Sequence, residues 1–254
     1  MPRRTREHVE NLWEDVVGGG TRARDARSIQ IERERLLQLW ASDPWAWLCG
    51  EDLEEREVVP GTKTRRLIWT TDEKDDHEPV KPWPEYEYLR RWIAVLDTDK
   101  EVLLDKCRQM LASTSTLLYM DWTCRFRPGR RWLLSKSTEE EACEMMRDKI
   151  RAVHSRLPSW VQQALPQSDT PLNRIDYGTG SYIKAVAENA AIRDARGGTA
   201  TGVLIDEAAY QESFKQLWAA AAPMTSKLFA ITTAKLGGLG AIEFYRQLER
   251  EIAS

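Results

Sequence analysis

The sequence predicts an α/β fold: a mainly parallel central sheet flanked by helices, with a helical and irregular N-terminal region ahead of it. Three observations predict this. From residue 101 onward short apolar runs alternate with helical patterns, the order that lays parallel strands side by side with helices between them. The run Val203-Leu204-Ile205 is continuously apolar, as a strand covered on both faces must be. It ends in Asp206-Glu207, two carboxylates at the carboxyl end of a strand, where open parallel sheets form their ligand crevice.

Composition sets the outer bounds. At 254 residues, 42% hydrophobic and 30% charged, the chain has the make-up of a folded protein with one large domain, or a core and an appendage. No segment approaches the ~20 apolar residues of a membrane span, so no membrane role is expected. The basic start Met1 to His8 has no apolar stretch behind it and is not a secretory signal, so an intracellular site of action is expected. Cys49, Cys107, Cys124 and Cys143 are widely spaced and accompanied by three histidines, which predicts reduced, mostly buried thiols rather than a zinc site or a disulfide scaffold. The net charge of −3 gives no support to generic affinity for nucleic acid, and a role on DNA would rest on local clusters such as Arg90-Arg91 or Arg125 to Arg131.

Two regions are expected, 1–80 and 81–254. Ile29 to Trp40 carries apolar residues at mixed three and four spacings after the Gly18-Gly19-Gly20 break, which predicts a helix. Ser42 to Trp83, with its prolines and the acidic run Asp72 to Asp76, reads as loops with a short hairpin around Leu67-Ile68-Trp69. Pro84 to Leu96 suits a helix with Tyr88, Trp92 and Val95 on one face. Strands are then predicted at Glu101 to Leu104, Arg131 to Ser135 and Lys227 to Thr233, with helices at Ser113 to Trp122 and Thr138 to His154. Arg174 to Tyr177 and Ser181 to Val186 read as a hairpin about Gly178-Thr179-Gly180. Of the eleven tryptophans, Trp40, Trp45, Trp47, Trp69, Trp83 and Trp92 crowd the first hundred residues and are assigned chiefly to the core, with a partner surface as the alternative.

The loop Lys106 to Ser113 lies between a predicted strand and a predicted helix, where backbone N–H groups and a helix N-terminus can cradle phosphates. It departs from G-x-x-x-x-G-K-[ST]: with Ser113 on the last position, Lys106 and Leu111 stand where the glycines belong and Ala112 where the lysine belongs. A lysine at the start of the loop still reaches terminal phosphates if the loop folds back, with Ser113 offering a hydroxyl to a metal and Arg108 a second positive charge. The other reading is a basic turn entering a helix. Asp206 and Glu207 also admit two readings. They are either a magnesium-holding and a water-orienting carboxylate for phosphate-anhydride hydrolysis, or acids opening a surface helix, where the dipole favours them. Their occurrence with the candidate loop and with Thr232-Thr233 at a further strand end favours the first.

Lys106-x-Arg108-Gln109 followed by Ser113, then Phe126-x-Pro128-Gly129 and Ser135-Lys136, resembles the variant Walker A region of tailed-bacteriophage terminase large subunits, the ATP-driven DNA-packaging motors. Arg196-Gly197-Gly198-Thr199 leading into Ile205-Asp206-Glu207-Ala208-Ala209 is similar to that family's R-G-x-T segment and Walker B. Ile231 to Ala234, with Gly237 to Gly240 and Phe244-Tyr245 behind it, resembles its coupling motif. The likeness covers residues 82–247 and implies a RecA-like P-loop NTPase core that binds ATP and Mg²⁺. By that resemblance Lys106, Arg108, Gln109, Ser113 and Thr114 bind nucleotide, Ser113 and Asp206 hold the metal, and Glu207 activates water. Arg196 or Arg193 neutralises developing charge, and Thr232 and Thr233 couple phosphate loss to movement. Double-stranded DNA, the portal protein, the terminase small subunit and a homo-oligomeric ring are the implied partners. The implied setting is the cytoplasm of the infected bacterial host, transiently at the procapsid portal.

The sequence also departs from the family. Its adenine-contacting glutamine is expected near a Pro-aromatic-Pro segment, and Lys81 to Glu87 offers Glu85 or Glu87, with Trp83 and Tyr86 beside them. The acidic cluster of the family's nuclease domain has no counterpart in this sequence, so no DNA cleavage is expected from it. Two other functions remain open: a helicase-like DNA translocase, which needs a second RecA-like lobe, and a catalytically weak nucleotide-fold module that docks a portal or small terminase.

Overall fold

The computed structural model describes residues 26–72, 75–108, 110–197 and 200–253, without the side chains of 196, 197 and 253. Helices α1 (Ala26–Ser42) and α2 (Pro44–Leu48) lead into an antiparallel ribbon of β1 (Glu51–Val59) and β2 (Thr62–Arg66), and then a second ribbon of β3 (Trp69–Thr71) and β4 (Val80–Pro82). Helix α3 (Glu87–Thr98) precedes the main sheet. That sheet is built from β5 (Glu101–Lys106), α4 (Ala112–Phe126), β6 (Arg131–Lys136), α5 (Glu139–Met146), α6 (Ala152–Ser155), α7 (Ser159–Ala164), β7 (Arg174–Asp176), β8 (Tyr182–Ala187), α8 (Glu188–Gly197), β9 (Ala200–Asp206), α9 (Phe214–Ala221), β10 (Thr225–Thr233) and α10 (Leu239–Ala253). Its spatial order is β5-β10-β9-β6-β8-β7, parallel throughout except for β7, which runs antiparallel to β8 at the edge.

Alternate side chains on the central strands feed two cores. Trp132, Leu134, Leu204, Phe229 and Ile231 face one side, where α3 and α4 pack with Leu36, Trp40 and Trp47 of the N-terminal helices. Leu133, Val203, Ile205, Leu228 and Ala230 face the other, against Phe214, Leu217 and Trp218 of α9 and Phe244 of α10. Covering both faces is what makes β9 read as an unbroken apolar run, and each fully buried Val, Leu or Ile stabilises by roughly 1.5–3 kcal/mol. A methyl group on Gly202 would sit 2.3 Å from the ring of Trp132, its partner across β6 and β9. Glycine there is what allows the indole to lie flat on the strand. Helix α4 is buried on nearly every side, so its sequence lacks a polar face and its N-terminus is held at the carboxyl ends of the strands.

The α/β class and the mainly parallel sheet stand as the sequence predicts, but the described residues between 43 and 83 form a short helix and two antiparallel ribbons where loops with a short hairpin were expected. Most β1 and β2 side chains are exposed or half-buried, so Glu51 to Val59 carries charge where a core strand would alternate, and its strand character was hidden. Trp69 pairs not with a near neighbour but with Pro82. Helix α3 buries Leu89, Ile93 and Leu96, and Tyr88 is exposed, one step around from the expected face. The predicted helix from Thr138 to His154 is present, opened by a Thr138–Glu141 capping box but with a π-helical turn at Arg147–Arg151.

The six tryptophans singled out in the first hundred residues serve the core: Trp40, Trp47, Trp69 and Trp83 are buried, and Trp45 and Trp92 pack against the main hydrophobic cluster. Arg125, counted among the basic clusters, is also interior, where its guanidinium donates to Asp121 at 2.6 Å. Of the four free thiols only Cys124 is buried; Cys107 is exposed in the loop after β5.

Candidate functional site

Four strand ends meet in one row. Thr233 closes β10 opposite Lys106, the last residue of β5; Asp206 closes β9 opposite Ile231; and Lys136 follows Ser135, which faces Ile205. Into this row comes the N-terminus of α4, whose free backbone N–H groups carry partial positive charge. The chain reaches it through Leu111, at φ +53°. The other non-glycine residue of left-handed conformation among those described is Glu207, at φ +55°. Such a conformation costs a β-carbon-bearing residue roughly 1–2 kcal/mol, and both instances fall at this one place.

The acidic half of the site is closely bonded. Ser113 Oγ donates to Asp206 Oδ1 at 2.6 Å, and Lys136 Nζ donates to Asp206 Oδ2 at 3.1 Å and to Glu207 Oε2 at 3.3 Å. Burial works against the charge on Lys136, but the carboxylates of Asp206 and Glu207 outweigh it and raise its pKa above the usual lysine value. Gln211, fully buried, donates from Nε2 to the carbonyl oxygens of Asp206 at 2.9 Å and Ser135 at 3.1 Å, while its Oε1 accepts from Ser135 Oγ at 3.1 Å. The Ala209 N–H donates to Thr232 Oγ1 at 3.2 Å. A β-carbon on Gly240 would meet the Gln211 carbonyl oxygen at 2.3 Å, so α10 approaches this turn as only glycine permits.

The phosphate-loop half is open. Lys106, Arg108, Glu207, Tyr210 and Thr233 line a cleft of about 390 Å³. Neither Lys106 nor Arg108 has a side-chain hydrogen bond or ion pair with another described residue, so both cations are available to an anion in the cleft. Lys235 Nζ lies 4.5 Å above the ring of Tyr210 at its rim. A second cleft of about 480 Å³ opens where Leu111 meets the β3–β4 ribbon, lined also by Thr70, Thr71, Lys81, Pro82, Tyr86 and Tyr88. Tyr86 and Tyr88 stack there with centroids 5.6 Å apart. Of the residues weighed for base contact, Trp83 is in the core, Glu85 is paired with Arg66 and Glu87 with Arg91.

The predicted site residues separate into three groups. Lys106, Arg108, Ser113, Asp206, Glu207, Thr232 and Thr233 lie together in or beside the cleft, and Thr114 is buried behind Ser113. Arg193 is exposed on α8 and lines neither cleft. Gln109 and the Arg196 side chain lie outside the described residues. Lys136, quoted with Ser135 in the resemblance, was given no role, and Gln211 and Tyr210 were not among the candidates. The signal for Lys136 was its place just past the predicted strand Arg131 to Ser135, at the same carboxyl end of the sheet as Asp206; Gln211 acts only through the turn that folds it back.

Asp206 and Ser113 offer oxygen ligands, and among the described residues no cluster of three or more His, Cys, Asp or Glu forms a protein-only metal cage. A carboxylate and a hydroxyl are donors that could hold Mg²⁺, an ion bound by one or two carboxylates together with phosphate oxygens and water. No described helix is long and apolar enough to cross a membrane.

No protein-family model matches the chain, and no curated protein matches it in sequence. Solved structures do. The large terminase of bacteriophage HK97 is 10% identical, with a TM-score of 0.51 over 67% of this chain and 38% of that one. The large terminase of a thermophilic bacteriophage is 15% identical, with a TM-score of 0.49 over 66% of this chain and 44% of that one. The large terminase ATPase domain of Thermus phage P74-26 is 16% identical, with a TM-score of 0.47 over 64% of this chain and 68% of that one. The chain thus spans less than half the length of the first two of these proteins. Its mainly parallel sheet, flanked on both faces by helices, is similar in fold to the large terminase of bacteriophage HK97.

Proposed function

We propose that this chain is the ATPase motor domain of a phage terminase large subunit, hydrolysing ATP to drive double-stranded viral DNA into a procapsid. The observation that carries the reading is that strand ends and one helix N-terminus bring Lys106 and Glu207 into one cleft, with the bonded pair Ser113 and Asp206 beside it. The triphosphate lies along the α4 N-terminus with Lys106 and Arg108 on its terminal phosphates, and the nucleoside falls toward the cleft of Tyr86, Tyr88 and Leu111. Ser113 Oγ and Asp206 hold Mg²⁺, which when bound neutralises charge on the phosphate oxygens. Glu207 orients a water molecule and takes its proton as the oxygen attacks the terminal phosphorus and the bond to the ADP oxygen breaks. Thr232, bonded to the turn that follows Glu207, links loss of phosphate to movement of β10 and α10.

DNA, the portal protein, the small terminase and a ring of copies are the partners that this reading brings, and the host cytoplasm at the portal is its setting. Arg193 or Arg196, supplied to the same nucleotide or to that of a neighbour in the ring, completes the charge stabilisation. An assay of phosphate release with and without duplex DNA tests the reading. DNA-stimulated, Mg²⁺-dependent turnover is expected. Nucleotide binding without turnover points to the docking module, and unwinding of a short duplex points to a helicase-like translocase.

A further inference from the structure

The two carboxylates of the site already have a cation between them. Lys136 Nζ stands 3.1 Å from Asp206 and 3.3 Å from Glu207, its side chain is 12% exposed, and it is the one ammonium or guanidinium paired with either acid among the described residues. Each Asp206 oxygen already accepts one hydrogen bond, Oδ1 from Ser113 and Oδ2 from the Lys136 ammonium. These are the oxygens a divalent ion requires, so a free metal ion must displace a tethered charge that is held at no translational cost. The tether is short and fixed, because Lys136 closes β6, whose neighbour Ser135 is bonded to Gln211, and Gln211 in turn holds the Asp206 carbonyl.

We propose that Lys136 is an internal counter-cation that keeps divalent metal out of the Asp206–Glu207 pair until a triphosphate arrives. Free metal offers the displaced ammonium nothing in exchange, and leaves a buried charge unpaired. A triphosphate brings its own anionic oxygens into the cleft, giving the ammonium a new partner as the metal takes its place. Metal and nucleotide therefore bind with strong mutual dependence, a coupling that is reciprocal by linkage. The consequence is a site that does not fill with metal, or hold Glu207 against a metal-bound water, while nucleotide is absent. This inference rests on the reading of Ser113 and Asp206 as the metal ligands.

The test is Mn²⁺ binding to the whole chain without nucleotide, followed by the loss of the free-ion paramagnetic resonance signal. Wild type is expected to bind weakly. Lys136→Met is expected to bind tighter by roughly 10- to 100-fold, the range over which groups contacting metal-ligating carboxylates tune affinity. That gain should vanish in the Lys136→Met, Asp206→Asn double variant. Lys136→Arg keeps the charge and should behave as wild type. Tight Mn²⁺ binding by the nucleotide-free wild type overturns the proposal, a result that depends on no variant folding. So does Lys136→Met binding no tighter, or Lys136→Arg gaining affinity as Met does. ATP uptake by wild type in Mn²⁺ separates the two levels: no uptake defeats the ATPase reading, whereas uptake with an unchanged Lys136→Met defeats this inference alone.

Discussion

The two halves of the cleft are built in opposite ways. Asp206, Glu207, Ser135, Gln211 and Thr232 form one bonded unit at the ends of β6, β9 and β10, with Gly240 of α10 pressed against it. Lys106, at the end of β5, and Arg108, on the loop after it, make no bonds to other described side chains, and Cys107, Arg108 and Met110 are exposed. The acidic half needs fixed geometry, because orienting one water and one metal is a matter of fine placement of the reacting atoms. The basic half needs free donors, because its partner arrives from solvent. Substitutions in the first should therefore disturb folding and chemistry together, and substitutions in the second binding alone.

Gly240→Ala should give the largest effect on stability. The nearest atoms its β-carbon would meet are backbone atoms of Ala209 and Gln211, so a loss of about 1–3 kcal/mol or more is expected. Thermal unfolding reads this as a drop in midpoint of roughly 2–4 °C for each kcal/mol in a chain of this size. An unchanged midpoint would show that α10 does not brace the turn. Lys106→Ala is the opposite case. ATP affinity should fall by about 10- to 100-fold, the worth of a charge-assisted phosphate contact, with no change in melting. Titration of a fluorescent ATP analogue alongside a melt separates the two, and a lowered midpoint would remove the contrast between the halves.

Thr232→Val keeps the shape but leaves the Ala209 N–H without its acceptor, at a cost of about 1–3 kcal/mol measured in urea. Stability unchanged by that substitution would mean that the turn is held without Thr232. The smallest effect lies away from the cleft, at the far end of α4. Burial, and then the adjacent Arg125, push His154 down from 6.5 to about 4, against weaker support for its charge from Asp121 and Asp169. The neutral ring therefore contributes in full above pH 6.5, and that contribution is lost as pH falls from 6.5 toward 4. His154→Gln should flatten stability in that window while leaving ATP affinity unchanged, whereas an identical pH profile would show that the ring does not titrate there.

The same contrast explains what the sequence disclosed. Asp206-Glu207 was legible because a strand buried on both faces advertises itself as an apolar run, and acids at its end have few structural uses. Ser113 was placed by its position at a helix start. Lys136 was quoted with Ser135 but given no role, and Gln211 was not selected, because the bonds each makes join strand ends and a turn far apart along the chain. The β1–β2 ribbon escaped notice for a different reason: an exposed strand pair has no hydrophobic period to read. The open loop around Lys106 lacks the glycines that announce a phosphate site, and only its place between β5 and α4 marked it.

Glu207 is where the account is most exposed. Glu207→Gln keeps the size and the hydrogen-bonding reach of the side chain while removing the charge that accepts the proton of the attacking water. The decisive measurement is Mg²⁺-dependent phosphate release from ATP by wild type and Glu207→Gln, with ATP affinity determined on the same samples. Turnover by wild type that falls by roughly 100-fold or more in the variant, with ATP still bound, is the expected result. Turnover that survives the substitution, or a wild type that binds no ATP, would contradict it.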